Sequence, residues 1–122
     1  MILSLKVPIR IQSESNLREH WTKKHKRQKK QKLVLRQYLM TLEKPSLPVE
    51  ITLVRIAPRQ IDVDNMWSGV KIAIDTIADW LIPGHMPGIA DGDRRLTFRV
   101  EQKKGDPKEY ALKIFFKYEK SS

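Results

Sequence analysis

The 122-residue chain has no cysteine. Disulfides, thiolate metal sites and cysteine nucleophiles are therefore excluded, and the absence suits a reducing compartment. No apolar run approaches the roughly 20 residues that cross a bilayer. Met1 to Ile11 is apolar, but Lys6, Pro8 and Arg10 break it up, so it lacks the continuous centre of a signal peptide. These absences lead us to expect a cytoplasmic protein with no membrane role. There is no internal repeat. Hydrophobic residues make up 40%, enough for a globular core, and the length fits one domain spanning residues 1–122.

Acidic residues are in short supply. Lys and Arg number 24 against 14 Asp and Glu, a net charge of +10. Such a surplus points to a polyanionic partner, nucleic acid before an acidic membrane surface. Most of it sits in one segment. Arg18, Lys23, Lys24, Lys26, Arg27, Lys29, Lys30, Lys32 and Arg36 share their stretch with a single acid, Glu19. That segment holds eight of the ten surplus charges. The rest of the chain is a nearly neutral body.

The pattern predicts β-α-β-α-β-β. Residues 2–11 alternate as a half-buried strand, and Pro8 on the polar side suits an edge or a bulge. Residues 17–43 contain no Gly or Pro and favour helix, with apolar anchors only in the second half at Leu35, Leu39 and Leu42. This predicts an arm fixed at its C-terminal end with a basic N-terminal part that projects. Residues 49–57 read as a strand. Asp64 or Asn65 is the expected cap of a helix over 66–81, whose inner face carries Val70, Ile74, Ile77 and Leu81. Strands over 96–102 and 110–118, with Lys103–Lys108 as the turn, read as a hairpin. The expected class is α/β (α+β), with one mixed sheet and helices mainly on one face.

The acids gather in the centre: Asp62, Asp64, Asp75, Asp79, Asp91 and Asp93. Asp62 and Asp64 form a D-x-D at a strand-to-helix junction, and Asp91 opens the next strand. Were those strands antiparallel neighbours, the three carboxylates would converge. Three convergent carboxylates repel unless a cation lies between them, and hard oxygen ligands suit Mg²⁺ or Mn²⁺. Such an ion polarises a phosphodiester and activates water. Lys71 and Asp75, four apart on the helix, share a face with Asp64 and Ser68, so Lys71 would bring positive charge to a phosphate. Plainer readings stand beside these. D-x-D-N before a helix also describes an Asx-turn with an N-cap, and Lys71–Asp75 also describes a surface ion pair. Trp21 would stack a base or, the favoured reading, anchor its helix in the core. Trp67 and Trp80 read as core or dimer-interface residues. His20 and His25 are spaced too poorly for a helical ligand pair.

Three stretches resemble the RusA family of Holliday-junction resolvases, in particular its phage-borne members. They are Ser15-Asn16-Leu17-Arg18-Glu19-His20-Trp21, then Asp62-Val63-Asp64-Asn65 with Lys71 and Asp75, then Ile77-Ala78-Asp79-Trp80-Leu81 followed by Asp91-Gly92-Asp93-Arg94-Arg95-Leu96. The order and length match over nearly the whole chain. The resemblance implies a Mg²⁺-dependent endodeoxyribonuclease that resolves four-way DNA junctions as a homodimer, in a bacterial or phage-infected cell. The family's essential carboxylates fall on Asp62, Asp64 and Asp91 and its lysine on Lys71, with Asp75 in support of the metal. DNA backbone binding falls to Arg18, Lys23, Lys24, Lys26, Arg27 and Lys30. Where the family often has two adjacent acids, this chain has Ala90-Asp91. That departure keeps open a non-catalytic DNA-binding module as the alternative.

Overall fold

The structure, a computed structural model, describes residues 1–12, 20–84 and 92–119. Four strands and two helices follow in the order β1 (Ile2–Val7), α1 (Trp21–Leu39), β2 (Val49–Ala57), α2 (Val63–Leu81), β3 (Leu96–Lys104) and β4 (Ala111–Tyr118). They make one four-stranded sheet ordered β1-β4-β2-β3. β4 runs antiparallel to both neighbours, whereas β2 and β3 are parallel. The α+β class and the mixed sheet are as expected.

The expected hairpin of the last two strands does not form. β4 leaves β3 and inserts between β1 and β2, while β3 takes the far edge beside β2. Side-chain burial explains the choice. β4 carries Ala111, Leu112, Ile114 and Phe116, all buried, and only a central position covers so much apolar surface. β3 alternates apolar with Thr97, Arg99, Glu101 and Lys103, a composition that tolerates an edge.

One sheet face is apolar. Leu5, Ile114, Leu53 and Val100 lie across it in register, and the next row is Leu3, Phe116, Ile51 and Phe98. Both helices cover this face. From α1, Leu35 and Leu39 enter the core; from α2, Val70, Ala73, Ile74, Ile77 and Leu81 do. The opposite face carries Lys6, Lys113, Lys117, Arg99 and Lys103 with Glu50 and Glu101.

Helix limits also depart from expectation. α1 starts at Trp21, with His20 as its N-cap: His20 Nδ1 accepts from the Thr22 amide at 3.3 Å. α1 ends at Leu39 rather than residue 43. α2 begins three residues early, with Asp62, not Asp64 or Asn65, at the N-cap position. β1 stops at Val7, but Ile9 and Ile11 stay buried beyond Pro8. Gly69 fixes the approach of α2 to that segment. A Cβ there would stand 2.5 Å from the backbone oxygen of Gln12 and 2.9 Å from Ile11 Cγ2. Gly69→Ala gains about 1 kcal/mol of helix propensity. A backbone carbonyl cannot rotate away, so overpacking of 1–3 kcal/mol prevails. We expect a lower Tm by roughly 5 °C in a circular-dichroism melt.

Candidate active site and nucleic-acid interface

Strand direction decides which residues can meet. β1, β2 and β3 all run the same way, since each of β1 and β2 opposes β4 and β3 parallels β2. Each helix starts after a strand that ends at one common edge, so both helix N-termini lie at the carboxyl edge of the three strands. In sheets of this kind ligands favour that edge.

The D-x-D is built there. Asp62 occupies the N-cap position of α2, yet its carboxylate makes no capping bond. The plainer reading of an N-cap with an Asx-turn is thus only half realised, since the backbone caps and the side chain does not. Asp62 and Asp64 are both exposed, and neither carboxylate has a hydrogen bond or ion pair among the described residues. Further along the same helix face, Lys71 Nζ meets Asp75 Oδ1 at 3.1 Å, an i,i+4 ion pair with Lys71 mostly in water. Such a pair contributes a few tenths of a kcal/mol. Ser68 Oγ donates to the Asn65 carbonyl at 3.0 Å.

What holds the D-x-D in place was not visible in the sequence. Ile61, just before it, is clamped by the Gln102 side chain: the Ile61 amide donates to Gln102 Oε1 at 2.9 Å, and Gln102 Nε2 donates to the Ile61 carbonyl at 2.6 Å. Gln102 in turn accepts from Arg55 Nη1 at 3.3 Å. Arg55 is 6% exposed, at the end of β2. Its Nε donates to the Ile11 carbonyl at 2.9 Å and its Nη1 to the Arg59 carbonyl at 2.7 Å. Burial, then repulsion from Arg10, lowers the guanidinium pKa from its usual value, but arginine stays charged in proteins. Three oxygens, none a carboxylate, compensate it. The signal for this hub was an Arg inside the apolar run Leu53–Ala57 that ends β2.

Asp91, Ala90 and Arg18 lie outside the described residues. The reasoning that drew Asp91 toward Asp62 and Asp64 assumed antiparallel neighbours, and β2 and β3 are parallel. Gly92 and Asp93, next in chain to Asp91, precede β3 at the opposite edge from the D-x-D. From Leu96 to Gln102 alone, six residues of β3 at roughly 3.3 Å each span about 20 Å. Asp93 is engaged locally, accepting from Arg95 Nε at 3.0 Å and Nη2 at 2.8 Å, and the same carboxylate raises the Arg95 pKa. Among the described residues no group of three His, Asp or Glu side chains is placed to share a metal ion.

The basic arm does adjoin the D-x-D edge. α1 buries Gln31, Leu35 and Leu39 and nothing before them. Gln31 Nε2 donates to the Arg10 carbonyl, and Arg27, Lys30 and Val34 line a cleft with Pro8, Ile9 and Gln12, so α1 lies along the segment that follows β1. Lys23, Lys26, Lys29 and Lys30 are exposed; Lys24, Arg27 and Lys32 are half-buried. A groove of about 240 Å³ between His25, Gln28, Lys29 and Lys32 of α1 and Ile72 of α2 puts the two helices side by side. The tryptophans divide. Trp21 is 73% exposed, which overturns its reading as a core anchor. Trp67 is 43% exposed, one turn from Asp64. Trp80 is half-buried against Phe116, with Lys44 Nζ 5.9 Å from its ring centre. No helix of the described residues is long and apolar enough to cross a membrane. Searches against protein-family models and against curated proteins find no match to this chain.

The Arg55–Gln102 clamp is testable. Gln102→Leu leaves a buried guanidinium N–H and the two Ile61 backbone groups short of partners, an expected loss of about 2 kcal/mol. Urea unfolding should record that loss, and hydrogen exchange should show the Ile61 amide speeding up. Unchanged exchange at Ile61 would mean that the clamp does not position the D-x-D.

Proposed function

We propose that the chain is a metal-dependent endodeoxyribonuclease of the RusA type, cutting four-way junctions or other branched DNA as a homodimer. The observation that carries this reading is a juxtaposition. Two exposed carboxylates without partners among the described residues stand at the same sheet edge as a helix whose cations oppose its own dipole. The first turn of α1 holds Lys23 and Lys24 and no acid. Cations near a helix N-terminus cost roughly 0.3–1 kcal/mol each. A helix that places them there is suited to a polyanion rather than to its own stability.

The donor chemistry fits the proposed cofactor. Asp62 and Asp64 offer hard oxygen donors of the kind Mg²⁺ or Mn²⁺ takes. The resemblance implies Asp91 as a third donor, although its chain neighbours Gly92 and Asp93 precede β3 at the other edge, and Asp75 supports the set. A divalent ion held there supplies Lewis-acid polarisation of the scissile phosphodiester and a more acidic water. The chain's own residues do the rest. α1 lays its lysines on the DNA backbone, which carries affinity and little sequence information. Lys71, released from Asp75, stabilises charge that develops on the phosphate. A two-fold dimer matches the two-fold symmetry of a four-way junction, which needs a cut on each of two strands.

The departure at Ala90 favours a second reading, a basic DNA-binding module without catalysis. Asp64→Asn separates the two. In the nuclease reading it abolishes Mg²⁺-dependent cleavage of a labelled junction, while gel-shift affinity stays within threefold. Cleavage at the parental rate would remove Asp64 from the site. Both readings assign the arm to phosphate contacts. Replacing Lys23, Lys24, Lys26 and Lys30 by Gln should then flatten the slope of log affinity against log salt by about 3.6, at roughly 0.9 per lost contact. An unchanged slope would place the DNA elsewhere.

A further inference from the structure

The sheet ends at β3 with a row of outward backbone groups. Among the described residues β3 pairs with β2 alone. The Val49 amide donates to the Arg95 carbonyl at 2.9 Å, which fixes the phase of that parallel ladder. Thr97, Arg99, Glu101 and Lys103 therefore turn their backbone groups toward β2, and Phe98, Val100 and Gln102 turn theirs to the open side. Phe98 and Val100 also close the apolar face, where both stay half-buried. The other edge is a poorer template: β1 has six residues, and Pro8 follows it without an N–H. β3 has nine, with Val100 at its centre. Arg99 and Glu101 flank Val100 on the polar face. Arg99 Nε meets Glu50 Oε1 at 2.9 Å. Glu101 is exposed, and its carboxylate has no hydrogen bond or ion pair among the described residues.

We infer that β3 pairs antiparallel with β3 of a second copy, about a two-fold axis through Val100, joining the two four-stranded sheets edge to edge. The inference rests on the homodimer of the proposed function and goes beyond it by assigning the surface and the register. The order of residues in the strand selects the occupant. With Val100 opposite itself, Phe98 faces Gln102 of the second copy, and these are the residues whose backbone groups point outward, so about six backbone hydrogen bonds form. Arg99 then stands opposite Glu101 of the second copy, twice over, in the closer type of pair with Cα atoms about 4.5 Å apart. Lys103 meets Thr97 and Lys104 meets Leu96, so no like charges stand directly opposite. Charges on an edge strand ordinarily deter strand addition. This order deters an unrelated strand and suits its own copy. The net charge of +10 on each chain opposes association. Antiparallel pairing limits that repulsion, because it sends the two carboxyl edges with their lysine arms to opposite ends of the joined sheet. A register centred on Phe98 would pair only Leu96 to Val100 and waste the rest of the strand.

The test is sedimentation velocity over a micromolar concentration series, without DNA, for the wild type, Arg99→Glu, Glu101→Arg and the double variant. Both residues are exposed, so the variants should keep the wild-type circular-dichroism spectrum. Each single change sets like charges opposite one another and should weaken the dimer about tenfold, and the double variant should return to within about threefold of the wild type. Loss of the Arg99–Glu50 ion pair is common to Arg99→Glu and the double variant, so the recovery cannot come from it. The chain has no cysteine, so Val100→Cys introduces a single thiol. In the hydrogen-bonded pair the two Cα atoms at this position lie about 5.5 Å apart, within disulfide reach. On oxidation Val100→Cys should run as a covalent dimer and Thr97→Cys as a monomer. An association that ignores the charge changes, a double variant as weak as the single ones, or failure of Val100→Cys to cross-link overturns the β3 assignment and leaves the homodimer to another surface. A wild type that stays monomeric throughout overturns the assignment and the homodimer together, while junction cleavage and the salt slope still decide the nuclease and nucleic-acid readings.

Discussion

The buried guanidinium of Arg55 is the contact on which the candidate site depends. It lies at the end of β2 and bonds the Ile11 carbonyl, the Arg59 carbonyl and Gln102. Those three oxygens belong to the segment leading to α1, the turn leading to α2, and β3. One side chain thus ties both helix entries to the same strand end. A buried charge without an ionic partner is tolerated only when its hydrogen bonds are made, and here the bonds are also the geometry. Gln102 passes the constraint on to Ile61, and so to the residue next to Asp62.

The second constraint is polarity. Because β1, β2 and β3 run the same way, α1 and α2 begin at one edge. That edge collects the D-x-D, the exposed tryptophans and the lysines of the arm. Only the C-terminal half of α1 is fastened to the core, by Leu35 and Leu39. The fold therefore spends its apolar surface on one half of the helix and leaves the other half available to a polyanion. The opposite edge, where Asp93 and Arg95 pair, holds the start of β3 and the end of α2.

Much of this was legible in the sequence. The alternation in β2 and the 3.6-residue stripe of α2 are each strong enough to survive any tertiary context, and the mixed sheet follows from them. The late anchoring of α1 was legible too, because Leu35 and Leu39 stand out in a lysine-rich run. Pairing was not. A short turn between two strands reads as a hairpin, and adjacency in sequence outweighed a quieter signal: the ALKIFF run of β4 needs burial that only a central strand receives. The same assumption, that neighbouring strands run antiparallel, lay behind drawing Asp91 toward Asp62. The role of Arg55 was hidden because a charged residue in the apolar end of β2 looks like an interruption until its acceptors, two of them distant in sequence, are known. Trp21 was misread because exposure of a tryptophan depends on where the sheet stops, which local pattern does not reveal.

The most direct measurement follows the strands of a four-way junction, each labelled at its 5′ end in turn, incubated with the wild-type protein in Mg²⁺ or in EDTA, with a linear duplex of equal length alongside. The account predicts paired cuts at symmetric positions on two opposing strands, in Mg²⁺ only, with the duplex intact. Saturated binding of the junction without a cut in Mg²⁺ or Mn²⁺ would contradict it and leave Asp62 and Asp64 as surface acids at the head of a DNA-binding fold.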